Sequence, residues 1–210
     1  MRTLAILPVK SFSEAKRRLS SDLAPALRES LAEAMFRDVL DALDATESIE
    51  DVVVVTAGPV AAEIAREHEA GVLNDRELGH NAAAALGIEA ALRNGFERAV
   101  LVPGDCPALD PDELEALLAH PVPPPSALVV PDRHGTGTNA LVLSPPDALA
   151  PSFGPGSRAR HVDLGRAAAI PVEVVEVPSL ALDVDTPDDL AALVATSERA
   201  LRTHELLSRC

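Results

Sequence analysis

Apolar positions along the chain follow two rhythms. Leu4 to Val9 is a short unbroken apolar run closed by Lys10, and Asp51 to Thr56 (DVVVVT) is a β-branched run too short for a helix. Both predict buried strands. Between them, Ala24 to Leu43 repeats at helical spacing, with Leu27, Leu31, Met35, Val39 and Leu43 on one face. The alternation continues with a helix at Ala61 to His68, a short strand at Gly71 to Leu73 and an Ala-rich helix at His80 to Leu92. A strand at Ala99 to Val102 and a helix at Pro111 to Leu118 follow. Strands and helices alternating at this spacing imply right-handed crossovers. The fold class is therefore α/β, with a mostly parallel twisted sheet and helices on both faces.

The second half is less regular. Pro121 to Pro125 reads as a stiff linker, and Ala127 to Val130 and Ala140 to Leu143 as two strands around a Gly/Thr loop. Val172 to Val177 is a further strand, and helices at Pro187 to Ala195 and Glu198 to Leu207 close the chain. No internal repeat or second core is visible, so residues 1–210 form one domain.

Composition narrows the partners. Of the 210 residues 47% are hydrophobic, enough for a substantial core, but only 2% are aromatic. That scarcity argues against a stacking platform for single-stranded nucleic acid. The formal net charge of -15 repels nucleic acid and anionic membrane overall. An anionic small molecule must then be held by a local cluster of cations, backbone N–H groups or a metal. The two cysteines, Cys106 and Cys210, lack metal-ligand spacing and suit a reduced, cytoplasmic protein. The first apolar run is too short for a signal peptide, and no segment is long enough to span a membrane.

Four features carry candidate chemistry. The stretch LVPGDCPAL ends a predicted central strand on a lone acid, Asp105, where open parallel sheets place their ligands. Asp105 could instead cap the next helix, but Asp110-Pro111 already offers an N-cap and a first-turn proline. In LDVDTPDDL, Thr186, Asp188 and Asp189 read as a capped helix start, which leaves Asp183 and Asp185 unexplained. Two carboxylates on one side of an extended segment need a cation, and magnesium, with its preference for hard oxygen ligands and phosphates, is the simplest. The only lysines of the chain are Lys10 and Lys16; with Arg17 and Arg18 they form its densest positive patch. Such a patch is either solvated surface or a polyphosphate partner. Finally, DRHGTGTN at 132–139 and FGPGSRARH at 153–161 offer glycines, hydroxyls and a Ser157 N-cap with nearby arginines. They read either as an ordinary hairpin loop and a capped surface helix, or as an anion site. Cys106 reads as a packing residue, and no Ser–His–Asp arrangement or nucleophile elbow is present.

Taken together, LPVKSFSEAKRRL, GDCPAL, DRHGTGTNAL, FGPGSRARH and LDVDTPDDL, in this order, resemble the phosphoenolpyruvate or 2-phospho-L-lactate guanylyltransferases of coenzyme F-420 biosynthesis. The resemblance implies a nucleotide-diphospho-sugar-transferase-like fold and transfer of GMP from GTP to a small phospho-acid, with pyrophosphate released. It implies that Thr138, Gly154 and Ser157 hold the phospho-acid, and that Lys10, Lys16 and Arg18 meet the GTP phosphates. By the same resemblance Asn81 meets the nucleoside, Asp105 and Asp183 bind Mg2+ with Asp185 assisting, and the product passes to the next enzyme of the pathway. LPVKSFSEAK stands where sugar nucleotidyltransferases carry a Gly-rich loop, which fits the small-acid branch. The alternative is a related metal-dependent nucleotidyl- or glycosyltransferase of the same fold.

Overall fold

The computed structural model describes the chain except residues 15, 21–22, 76–77, 197–198 and 210. Cys210 and the predicted helix start at Glu198 lie outside the described residues. The strands are β1 (Thr3–Pro8), β2 (Asp51–Thr56), β3 (Gly71–Asn74), β4 (Arg98–Leu101), β5 (Ser126–Pro131), β6 (Thr138–Ser144) and β7 (Val172–Val174). They form a seven-stranded sheet in the order β3-β2-β1-β4-β6-β5-β7. β6 runs antiparallel to both of its neighbours, and the other pairings are parallel.

The helices are α1 (Pro25–Asp44), α2 (Pro59–Glu67), α3 (His80–Arg93), α4 (Pro111–Leu118), α5 (Ser157–Ala168), α6 (Pro178–Ala181), α7 (Pro187–Thr196) and α8 (Leu201–Ser208). The expected elements are all present within a few residues of their predicted ends, except that the strand expected over Val172 to Val177 stops at Val174. α6 and the short 3-10 turns at Phe12–Glu14 and Arg17–Leu19 have too few residues to show a period.

Every position of β1 is buried, as a strand covered on both faces requires. Its side chains alternate: Ala5 and Leu7 join the core beneath α1, α2 and α4, while Leu4 and Ile6 join the core beneath α3. α1 supplies Phe36, Val39, Leu40 and Leu43 to the first core, each worth about 1.5–3 kcal/mol when fully removed from water. α3 lies so close to β1 that a Cβ on Gly87 would sit 2.3 Å from Ile6 Cγ2.

A third, smaller apolar cluster stands apart from the sheet. It unites Leu19 with Leu31 and Met35 of α1, Val184, Leu193 of α7 and Ala200. Both segments that bear on the site described next, the loop after β1 and the turn before α7, are anchored in it. α8 docks on α1 through Asp38, whose buried carboxylate accepts from Arg202 N, Thr203 N and Thr203 Oγ1 at 2.9, 3.0 and 2.7 Å.

Candidate active site

From β1 the chain builds outward to β2 and β3, then returns to add β4 on the other side of β1. The crevice outside the carboxyl ends of β1 and β4 is thus the topological switch point, where open α/β sheets bind ligands. Lys10 follows β1 and Asp105 follows β4, so both stand at its mouth. Two adjoining cavities of about 350 and 300 Å³ open there and share Pro8, Val9, Lys10 and His80 as walls. Lys16, Arg18, Asp105 and Asp185 line the larger one.

The acids converge through the main chain. Val184 N donates to Asp105 O at 3.0 Å, tying the turn before α7 to the turn after β4. Val184 itself is fully buried in the third cluster, which leaves its neighbours Asp183 and Asp185 on the polar side. Thr186 and Asp189 form a reciprocal cap: Asp189 Oδ2 accepts from Thr186 N at 2.7 Å, and Asp189 N donates to Thr186 Oγ1 at 3.3 Å. Asp189 also pairs with Arg133 at 2.6 Å, and Asp110 caps α4 through Asp112 N at 2.9 Å. The capping duties are therefore filled as expected, and Asp105, Asp183 and Asp185 do not share them.

The cation nearest these acids belongs to the protein. Lys16 Nζ lies 2.6 Å from Asp105 Oδ2 and 2.9 Å from Asp185 Oδ1. Arg18 adds a longer contact of 3.8 Å to Asp185. Burial would lower the proton affinity of the Lys16 ammonium, but Asp105 and Asp185 outweigh it and raise the group above its ordinary value. Lys16 adopts φ 55°, the left-handed region, at a cost of about 1–2 kcal/mol for a residue with a Cβ. Its ion pairs and the turn bond from Leu19 N to Lys16 O at 2.9 Å hold that conformation.

Asp183 has a different environment. Burial, then the neighbouring Asp105 charge, push its carboxyl above the usual carboxylate range, while a 3.2 Å hydrogen bond from Asn139 Nδ2 acts the other way. A nearby cation would favour the ionised form of Asp183. Among the described residues no three His, Cys, Asp or Glu side chains are grouped as a ready metal cage. Magnesium needs no such cage, since one or two carboxylates plus substrate phosphates and water complete its shell. Asp105 and Asp183 fit that donor set, with Lys16 paired to both Asp105 and Asp185 and Arg18 also near Asp185. Cys106, fully buried beneath Asp105, is a core residue whose thiol is pushed well up by burial and then by the nearby carboxylates.

The second group of expected residues gathers where β6 begins and α5 starts. Arg158 N donates to Thr136 O at 3.2 Å, docking α5 on the Gly/Thr loop. Thr138 Oγ1 lies 3.0 Å from His161 Nδ1. Next to it, Asn139 is the residue that reaches Asp183, so β6 joins the two groups. One expectation is corrected here. The N-cap of α5 is Gly156, in the left-handed region at φ 72°, and Ser157 is the first helical residue. A left-handed N-cap suits glycine better than serine. The Ser157 hydroxyl is buried and, among the described residues, has no hydrogen-bond partner. Gly154, at φ 110°, is exposed on the preceding turn.

Asn81 stands at the start of α3, and its amide grips the main chain of Phe153 from both sides. Phe153 N donates to Asn81 Oδ1 at 2.7 Å, and Asn81 Nδ2 donates to Phe153 O at 3.3 Å. In this structure Asn81 is a clamp on the loop before α5. His80, Asn139 and His161 were not singled out as site residues from the sequence. A lone histidine carries no spacing signal, and Asn139 was visible only as one amide in a loop.

This architecture defines a class. The fold is that of the nucleotide-diphospho-sugar-transferase-like nucleotidyltransferases. It is similar to a structure from Desulfovibrio desulfuricans G20 assigned to the nucleotide-diphospho-sugar transferases, with a TM-score of 0.74 and 18% identity, covering 100% of this chain and 95% of that one. The family follows from sequence: the model of the CofC-like guanylyl transferases matches residues 3–209, and the chain belongs to that family. It is 49% identical over 195 residues to a phosphoenolpyruvate guanylyltransferase of Conexibacter woesei, covering 92% of this chain and 87% of the relative. It is 35% identical over 210 residues to a 3-phospho-D-glycerate guanylyltransferase of Colwellia psychrerythraea, covering 100% and 99%.

Proposed function

We propose that the protein transfers GMP from GTP to a small phospho-acid, phosphoenolpyruvate in the first instance, as a cytoplasmic step in coenzyme F-420 biosynthesis. The observation that carries this reading is the meeting of Lys16, Asp105, Asp183 and Asp185 at the switch point, in a chain matched by the guanylyl transferase family over residues 3–209. The high identity to a phosphoenolpyruvate guanylyltransferase favours that acid over 2-phospho-L-lactate, and the 3-phospho-D-glycerate relative marks a third substrate to be tried.

A phosphate oxygen of the acid attacks the α-phosphorus of GTP. A new P–O–P bond forms, the bond between the α-phosphorus and the bridging oxygen breaks, and pyrophosphate leaves. The attacking oxygen is already ionised, so no side-chain nucleophile is called for. The protein supplies alignment and charge. Lys10, Lys16 and Arg18 attract the triphosphate at the cavity mouth. Thr138, Gly154 and Ser157 receive the phospho-acid, and Asn81 holds the loop that carries Gly154 while its helix start faces the nucleoside. Asp105 and Asp183 would hold Mg2+ with Asp185 assisting, and Asp105 and Asp185 pair with Lys16 beside them. When bound there, the ion offsets the negative charge that builds on the phosphate oxygens. The product, in which GMP and the phosphate of the acid share a phosphoanhydride, then passes to an enzyme that displaces GMP.

Purified protein incubated with GTP, Mg2+ and each of the three acids in turn tests this. Pyrophosphate release and a product of the mass of GMP joined to phosphoenolpyruvate are expected. Absence of pyrophosphate with every phospho-acid would overturn the reading. Transfer to a sugar from a GDP-sugar would favour the glycosyltransferase alternative instead.

A further inference from the structure

We infer that His161 is a positioning residue that turns the Thr138 hydroxyl into a fixed hydrogen-bond donor for the anionic substrate. The inference rests on the proposed placement of the phospho-acid at Thr138.

His161 lies on α5 and is fully buried. Its Nε2 is 3.0 Å from the backbone nitrogen of Ser152. A main-chain N–H can only donate, so Nε2 must be unprotonated. A neutral imidazole then carries its proton on Nδ1. That proton points at Thr138 Oγ1, 3.0 Å away. The threonine oxygen is thereby an acceptor, and its own proton is left for another partner. Without the histidine the hydroxyl could rotate and accept or donate at will. With it, one lone pair is taken and the hydroxyl proton is turned away from the ring towards an acceptor, of which a phosphate or carboxylate oxygen is the strongest.

The surroundings hold the ring in this state. Burial, and then the positive charge of Arg160, lower its proton affinity to about 4, so the ring is neutral near pH 7. Phe153 packs edge-on against it at 5.4 Å and against His80 at 4.9 Å. His80 in turn walls both cavities. Ser157, one helical turn before His161 and so on the same face of α5, is only 1% exposed, and its hydroxyl has no partner among the described residues. A buried hydroxyl left unpaired is destabilising. Two hydroxyls in one layer thus have unspent hydrogen-bonding capacity, as a site built for an incoming anion requires.

Two substitutions separate the contacts of the ring. His161→Gln can present its amide oxygen to Ser152 N while losing the donor to Thr138. His161→Asn keeps a donor near the Nδ1 position and loses the acceptor for Ser152. Steady-state kinetics should show KM for phosphoenolpyruvate raised about tenfold in His161→Gln and in Thr138→Val, with KM for GTP little changed. The double variant His161→Gln/Thr138→Val should be no worse than Thr138→Val alone, and His161→Asn should keep KM for the acid close to wild type. If Thr138→Val raises KM but His161→Gln does not, or if their effects multiply, the role of His161 is refuted and the substrate placement stands. If Thr138→Val leaves KM for the acid unchanged, the placement fails and the inference with it. The wild-type protein gives a check that needs no variant: nitrogen NMR of the ring must show the proton on Nδ1, and a proton on Nε2 refutes the inference.

Discussion

Replacing Lys16 by methionine removes the ammonium while keeping an unbranched stem of similar length. Two charge-assisted hydrogen bonds are lost, to Asp105 at 2.6 Å and Asp185 at 2.9 Å. In a dry interior each would contribute about 1.5–3 kcal/mol. Here the lysine side chain is 5% exposed, but its partners are 31% and 40% exposed. Water therefore solvates the abandoned carboxylates, and each contact falls towards the ~1 kcal/mol of an exposed pair. Methionine also avoids desolvating a buried charge. The net destabilisation is about 1–2 kcal/mol, or about 2–8 °C in Tm for a chain of this size. The pH dependence has a definite sign. The folded-state affinity of Lys16 for its proton is raised. Its contribution is present in full below the unfolded-chain value of about 10.4, and it fades as pH rises through the higher folded value. Thermal melts of wild type and Lys16→Met should therefore differ by a constant amount around neutrality and draw together in strong alkali. GMP transfer should fall by about 10²–10³-fold. A variant that melts at or above the wild-type temperature at neutral pH, or a gap that persists unchanged in alkali, would show that the ammonium does not stabilise the site.

Asp183→Asn keeps an acceptor for Asn139 and removes a charge that burial and Asp105 disfavour. Because the folded-state affinity of Asp183 for its proton is raised, stability is lost as pH rises through that value. The metal-free variant should melt above wild type at neutral pH, the advantage vanishing on acidification, while turnover drops by about 10²-fold or more; a lower neutral Tm contradicts the reasoning. Gly87→Ala gains about 1 kcal/mol of helix propensity but drives a methyl to 2.3 Å from Ile6 Cγ2, an overpacking cost of about 1–3 kcal/mol. An unfolding free energy lower by about 1 kcal/mol, read as a lower denaturation midpoint at constant slope, is expected, and a raised midpoint would mean that α3 shifts freely. Asp38→Ala strips three hydrogen bonds from the start of α8 and should cost about 2–4 kcal/mol in chemical denaturation. An unchanged midpoint would mean that water replaces the carboxylate.

The parallel half was legible because its signals are local. Short β-branched runs alternate with helical periods, and two caps, at Asp110 and Thr186, are encoded within four residues of the groups they satisfy. Removing those caps from the account left Asp105, Asp183 and Asp185, which the fold then brings beside one another. Strand order was not legible. β5 and β6 read as a simple hairpin, but β6 inserts between β4 and β5 because its other edge pairs with a strand some 40 residues earlier, from Ala99↔Leu143 to Leu101↔Leu141. The sequence reading placed Lys16 against triphosphate; its pairing with two acids depends on the left-handed turn and the third cluster, which only tertiary packing reveals. Ser157 looked like a cap because serine favours that position, but the preceding glycine takes the left-handed geometry first. His161 acquires meaning only from Ser152 and Thr138, which approach it from opposite sides.

The small cluster of Leu19, Leu31, Met35, Val184, Leu193 and Ala200 has few residues and no strand. A cluster this small has less buried apolar surface to hold it than a two-faced sheet and opens at lower free energy. Because it seats both the lysine loop and the acidic turn, its loosening would disperse the charged trio while the strands stay paired. Warming should therefore silence the protein before it unfolds.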